Sequence, residues 1–201
     1  MSDATTTTTG NAAPTGPSSN TLAPAVPMPA ETVHDDLEAY RQFVSEVAAA
    51  ADGRVIFNRS RAHAAIIIEH IFGAAQNEVN ILTGQLYPTV YANDHVAQAA
   101  VAFLRRNSSA RLNIVSEQQL SPTHPLLKAT RAVASDRVKV FTLKNDVAAR
   151  TPFHFAVADG RSFRFEPKKA VTEAVVQFGA PDAGKKLNDL FRDLQTSGTI
   201  S

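Results

Sequence analysis

The sequence predicts an α/β fold: a mixed, mostly parallel sheet with helices on both faces, behind a disordered N-terminal tail. Three observations lead there. From residue 31 onward, short runs rich in Val, Ile and Phe alternate with amphipathic helical runs. The segment Thr151–Glu166 reads as an apolar strand, a tight Asp-Gly turn and a second strand, so the sheet contains a hairpin. Residues 1–30 are rich in Thr, Ala, Pro, Ser and Gly, carry one charge at Asp3, and lack the large apolar groups whose burial offsets ordering entropy.

The elements follow in order. Glu31 to Ala51 is helical, because Leu37, Tyr40, Phe43, Val44 and Val47 recur at three- and four-residue steps. Asp35, Asp36 and Glu38 sit near its start, where the helix dipole favours anions, and Asp52-Gly53 stops it. Arg54–Phe57 is a short strand, and Ser60 caps the next helix, Arg61–Ala75. That helix carries Ile66, Ile67, Ile68, Ile71 and Phe72 on more than one side, so it is buried. Glu78–Leu82 is a strand. Asn93 or Asp94 caps a helix over His95–Arg106, and Arg111–Val115 is a strand. His124–Ala134 is a helix capped by Thr123, with Pro125 tolerated in its first turn. Val138–Leu143 is a strand, two strands flank Asp159-Gly160, Ala174–Phe178 is the last strand, and Asp182–Leu194 the last helix. Residues 31–201 thus form a single domain without internal repeats.

Composition narrows the function. The 201 residues include no cysteine, which excludes disulfides, thiol catalysis and cysteine-held zinc. The net charge of +1, from 20 basic and 19 acidic residues, is no signature of a general nucleic-acid binder. No apolar run approaches the ~20 residues of a membrane helix, and the N-terminus lacks a basic start and apolar core, so a cytoplasmic chain without a membrane partner is expected. Gly-x-Ser-x-Gly, Gly-x-x-x-x-Gly-Lys and Gly-x-Gly-x-x-Gly are all absent, which leaves serine hydrolysis, nucleotide hydrolysis and dinucleotide binding without a motif.

The run His154-Phe-Ala-Val-Ala-Asp159-Gly-Arg161 resembles the site strand of the phospholipase D superfamily, which carries His-x-Lys-x-x-x-x-Asp, usually followed by Gly. In that family the His attacks phosphorus and forms a covalent intermediate, and the Lys neutralises phosphate charge. Aligning Asp159-Gly160 with the family's Asp-Gly puts Pro152 at the His and His154 at the Lys. Aligning His154 with the family's His puts Ala156 at the Lys and Arg161 at the Asp. Neither register rebuilds the motif. The chain is also similar to small, non-catalytic bacterial phospholipase D-like domains through Gln85-Leu-Tyr-Pro-Thr-Val-Tyr91, Thr123-His-Pro-Leu-Leu127 and Phe191-Arg-Asp-Leu194. The likeness spans roughly Ser60–Ser197 and implies the α/β fold, a non-enzymatic binding or regulatory role with a residual anion-binding cleft, and pairing with a second copy, since single-motif members build their site across a dimer.

The candidate binding residues are Gln85, Tyr87, Tyr91, His124, His154, Asp159 and Arg161. The loops after Leu82 and before His124 belong at the carboxyl ends of strands, where open parallel sheets gather ligands. His154 and Asp159, five apart on a strand, point to opposite faces and need not meet. They read equally as a buried strand histidine and a turn residue. His124 reads as an anion contact at a helix start or as a local cap, and the tyrosines as cleft lining or loop packing. A displaced site, with His124 and His154 as nucleophile and acid, is the enzymatic alternative. No metal and no cofactor is expected: His63 and His70 stand seven residues apart, about 10 Å along a helix, too far for one ion. The basic residues Arg150, Arg161, Arg164, Lys168, Lys169, Lys185 and Lys186 would serve a nucleic acid only if they converged, so nucleic acid ranks behind a second copy or an unidentified protein as partner.

Overall fold

The structure, a computed structural model, describes residues 32–169 and 172–200; the tail of residues 1–30 lies outside them. The chain runs α1 (Thr32–Ala50), β1 (Val55–Asn58), α2 (Arg61–Ala74), β2 (Glu78–Thr83), α3 (Pro88–Tyr91), α4 (Asp94–Arg106) and β3 (Arg111–Ser116). It continues with α5 (Pro125–Ala134), a 3-10 turn (Ser135–Arg137), β4 (Val138–Leu143), α6 (Asn145–Arg150), β5 (His154–Ala158), β6 (Ser162–Glu166), β7 (Ala174–Gln177), α7 (Pro181–Thr196) and β8 (Gly198–Ile200). Capping residues set several boundaries. The Ser60 side chain accepts from the His63 amide at 3.1 Å, and Asn93 from His95 at 2.9 Å. The cap of α5 is His124 rather than Thr123.

The strands form one sheet in the order β1-β7-β6-β5-β2-β3-β4-β8. The expected mixed α/β class holds, with helices on both faces. The expected dominance of parallel pairing does not. Only β2–β3 and β3–β4 are parallel; β1–β7, β7–β6, β6–β5, β5–β2 and β4–β8 are antiparallel. Crossover helices α4 and α5 supply the parallel part. After β4 the chain meanders through β5, β6 and β7 on short connections, which permit only antiparallel neighbours. The β5–β6 turn has φ 50° at Asp159 and φ 60° at Gly160. Two successive positive angles are what a two-residue type I′ hairpin requires, and Asp-Gly is suited to it.

Side chains alternate across the sheet and build two cores. Val79, Ile81, Leu112, Ile114 and Ala156 face α1 to α5, where Ile67, Ile71, Phe72 and Phe103 are fully enclosed. Leu82, Val115, Phe155, Val157 and Phe163 face α7, whose Phe191 ring meets Phe155 edge-on at 6.5 Å. Beneath α7 a polar ladder fixes the helix on the sheet. Asn113 donates to Asn80 at 2.8 Å, Asn80 to Asn188 at 2.8 Å, and Asn188 to Glu78 at 2.6 Å. This packing places the carboxyl ends of β2 and β3, the start of β5 and the end of β6 along one rim.

Candidate functional site

His154 opens β5 on that rim, paired across the ladder with Glu166 at the end of β6. Both side chains lie on the α2 face, as does Arg164, because positions two apart on a strand share a face. The His154 side chain is 7 % exposed. Its Nε2 lies 3.1 Å from Glu117 Oε1 and its Nδ1 lies 3.5 Å from Glu166 Oε2. Whichever ring nitrogen carries a proton, both face a carboxylate. Each carboxylate has its own cation: Lys169 Nζ bonds Glu117, and Arg164 Nη1 bonds Glu166. Lys169 also donates to the Ala148 carbonyl at 2.8 Å. Arg164, 5 % exposed, donates through Nε to Asn58 Oδ1 at 2.9 Å. The result is one chain of contacts across the rim, from Lys169 through Glu117, His154 and Glu166 to Arg164.

Burial pushes the Glu166 carboxyl upward, but the His154 contact and the Arg164 guanidinium outweigh it and hold the group below its ordinary 4.5. Burial raises the Tyr91 hydroxyl well above its ordinary value, against a lowering by Arg164. Burial lowers His124 below 6.5, opposed by its bond to Leu86, and lowers His63 likewise, opposed by Asp36. These directions set a pH profile. A depressed carboxyl contributes stability that is present above 4.5 and lost as pH falls through its folded value. The two depressed histidines contribute stability that is present above 6.5 and lost below it, where the unfolded chain takes protons first. Urea unfolding should therefore weaken in two stages on acidification. Glu166→Gln should flatten the lower stage and His124→Asn part of the upper; unchanged slopes would contradict the assignment.

The structure gathers some of the expected residues and separates others. Tyr87, Tyr91 and His154 line one cavity of about 30 Å³ with Arg164 and Glu166, room for a water. A second cavity of about 60 Å³ shares Tyr87, Arg164 and Glu166 and adds Arg61 and Lys169. His124 lies on the neighbouring loop and lines neither. Its Nε2–H donates to the Leu86 carbonyl at 3.0 Å, and its Nδ1 accepts from the Leu126 amide at 3.3 Å, so both nitrogens serve the loop and the helix cap. Gln85 is exposed. Asp159 and Arg161 lie at the opposite end of β5 from His154, roughly 16 Å away at about 3.3 Å per residue. Both therefore fall outside the rim cluster to which the candidate set assigned them. The Asp159 carboxylate accepts from the Gln76, Asn77 and Glu78 amides at 2.6, 2.9 and 2.8 Å, tying the hairpin to the start of β2. His63 stacks on Tyr40 with centroids 3.8 Å apart, and His70 bonds the Ile66 carbonyl. Of the basic residues of the last third only Arg164 and Lys169 meet, at one cavity; Arg150 pairs with Asp146, Lys185 with Asp189, and Arg161 stands at the far rim.

Sequence reasoning missed Glu117, Glu166, Arg164 and Asn58 as partners of the site. One signal was present. In Ser162-Phe-Arg-Phe-Glu166 two charged residues alternate with two phenylalanines, which puts both charges on one face of a buried strand. Buried charges require partners.

Comparisons with known proteins agree with this architecture. A family model described as Domain of unknown function (DUF7931) matches residues 59–198. Nuc from Salmonella typhimurium, a phospholipase D family member, is similar with a TM-score of 0.53 and 15% identity, covering 75% of this chain and 99% of its own. NucT from Helicobacter pylori is similar with a TM-score of 0.53 and 12% identity, over 74% of this chain and 99% of its own. TrmBL2, an archaeal chromatin protein with a novel mode of DNA binding, gives a TM-score of 0.51 and 13% identity over 84% of this chain and 63% of its own. No curated protein matches the sequence. At these identities the likeness establishes the fold, which is phospholipase D-like.

Proposed function

This chain belongs to the DUF7931 family, and we propose that it is a non-enzymatic binding and regulatory module on a phospholipase D-like scaffold, working with a second copy of itself. The observation that carries the reading is the state of His154. An imidazole attacks phosphorus through a nitrogen lone pair directed at the substrate. Both His154 nitrogens instead face carboxylates, at 3.1 and 3.5 Å. A phosphate entering along either nitrogen would meet Glu117 or Glu166 first. The residue two positions earlier, where one register of the family motif expects the nucleophile, is Pro152, which has none. The cations that would neutralise a phosphate here, Lys169 and Arg164, are already paired with those carboxylates. The enzymatic alternative through His124 draws no support from a ring whose nitrogens both serve the backbone.

The test is hydrolysis of bis(p-nitrophenyl) phosphate and of DNA by the purified full chain in excess chelator. We expect no turnover above buffer, and no difference between wild type and His154→Ala. Turnover that disappears in His154→Ala would overturn the proposal.

A further inference from the structure

We propose that a small oxyanion site lies just outside the paired rim, held by Arg61 over Tyr87 at the mouth of the cavity that Lys169 and Thr172 also line. The inference deepens the binding reading above by locating the anion and naming the residue that holds it. Charge carries the argument. Around the two adjoining cavities stand Arg61, Arg164 and Lys169, against Glu117 and Glu166. Arg164 and Lys169 are each matched to one of those carboxylates. Among the described residues Arg61 makes no ion pair, and Glu38 and Glu69, which line the cavity on its other side, are paired with Arg41.

Geometry agrees. The Arg61 guanidinium carbon sits 5.0 Å from the centre of the Tyr87 ring. The ring contact takes no N–H of the guanidinium, and no Arg61 side-chain hydrogen bond is formed among the described residues, so its donors can reach an oxyanion with two parallel hydrogen bonds. Tyr87 is itself placed by Pro88, the first residue of α3, and by the Tyr91 and Val90 amides, which both donate to its carbonyl at 2.8 and 2.9 Å. The neighbouring cavity of about 60 Å³ admits a group of phosphate size and not a large ligand body. The ligand class is therefore a small oxyanion, either free or as the exposed end of an ester. It binds Arg61 from the solvent side while Glu117 and Glu166 keep it from His154.

The experiment titrates the full chain with inorganic phosphate at constant ionic strength, followed by amide chemical shifts. Saturable shifts confined to residues around Arg61, Tyr87 and Thr172 are expected. Arg61→Ala, at an exposed position, should weaken binding by about tenfold or more. Arg61→Lys should fall between, because it keeps charge and loses the fork. Arg111→Ala, at the opposite rim, should leave binding unchanged. Displacement by glycerol phosphate at equal concentration assigns an esterified group, and failure to displace assigns the free ion; both uphold the site. Shifts that do not saturate, that survive Arg61→Ala, or that fall equally with Arg111→Ala overturn it. Absent phosphate binding together with absent turnover would remove this site alone and leave the non-enzymatic reading standing.

Discussion

Replacing Arg164 with alanine is expected to lower the unfolding free energy by about 3–5 kcal/mol, the range for removing one partner of a buried ion pair. The side chain is 6 % exposed and engages three groups: Glu166, Asn58 at 2.9 Å, and the Thr172 carbonyl at 3.4 Å. Its loss leaves the part-buried Glu166 carboxylate without its arginine and the Asn58 Oδ1 without its donor. An exposed pair such as Arg150–Asp146 would lose no more than about 1 kcal/mol by the same truncation. Arg164→Lys should not restore stability, because one ammonium cannot reproduce a fork that reaches three acceptors. The Arg164→Met/Glu166→Met double variant should lose less than the two single variants added, by about 0.5–3 kcal/mol, since no unpaired charge remains between them. The readout is the urea midpoint at constant slope. A loss in Arg164→Ala below about 1 kcal/mol would show that the network is open to solvent and would remove the argument for a closed rim.

The second large effect is at Gly184. It lies in the first turns of α7, and a Cβ there would overlap the carbonyl group of Gly160 in the β5–β6 turn. The obstacle is backbone, so no rotamer change relieves it. Gly184→Ala should cost about 2–3 kcal/mol, as overpacking of an interior contact does. It should do so by pushing α7 away from the hairpin and stretching the Asn188–Asn80 bond. Gly73→Ala supplies the opposite sign. Gly73 sits inside α2, and a Cβ there meets nothing within 4 Å. That substitution should stabilise by about 0.5–1 kcal/mol, because alanine loses less backbone entropy in a helix. Two glycine-to-alanine changes with opposite outcomes test the docking of α7 more sharply than either alone. If both proved neutral, the helix would not rest on the turn as described.

The lesson for reading such a chain lies in which contacts are local. β4 was legible as Val138–Leu143, because alternation within six residues fixes a strand without outside help. The hairpin was legible from Asp159-Gly160, because the turn's positive φ angles select those residue types. α3 and α6 were not, since four and six residues are too few to show a helical period. β8 was missed because three residues, Gly198-Thr-Ile200, form a strand only by pairing with β4. The small parallel share had the same origin: β5 enters beside β2 in the antiparallel sense, and no residue of β5 encodes its neighbour's direction. At the site, His154 opens β5 while Tyr87 and Tyr91 lie on the segment after β2, and the fold brings all three to one cavity. Glu117 was not legible, since its contact with His154 spans 37 residues of sequence. Asp159 stands in the motif-like spacing, yet its three amide contacts give it a structural task at the other end of the strand.

The proposed non-enzymatic role requires that both His154 nitrogens stay engaged by Glu117 and Glu166 rather than open to a substrate. Intact-mass analysis after an alkaline denaturing quench, which preserves a phosphorus–nitrogen bond to histidine, on the full chain incubated with bis(p-nitrophenyl) phosphate, addresses that most directly. A protein of unchanged mass at every time point is the predicted result. A phosphoryl adduct that maps to His154 would contradict the account.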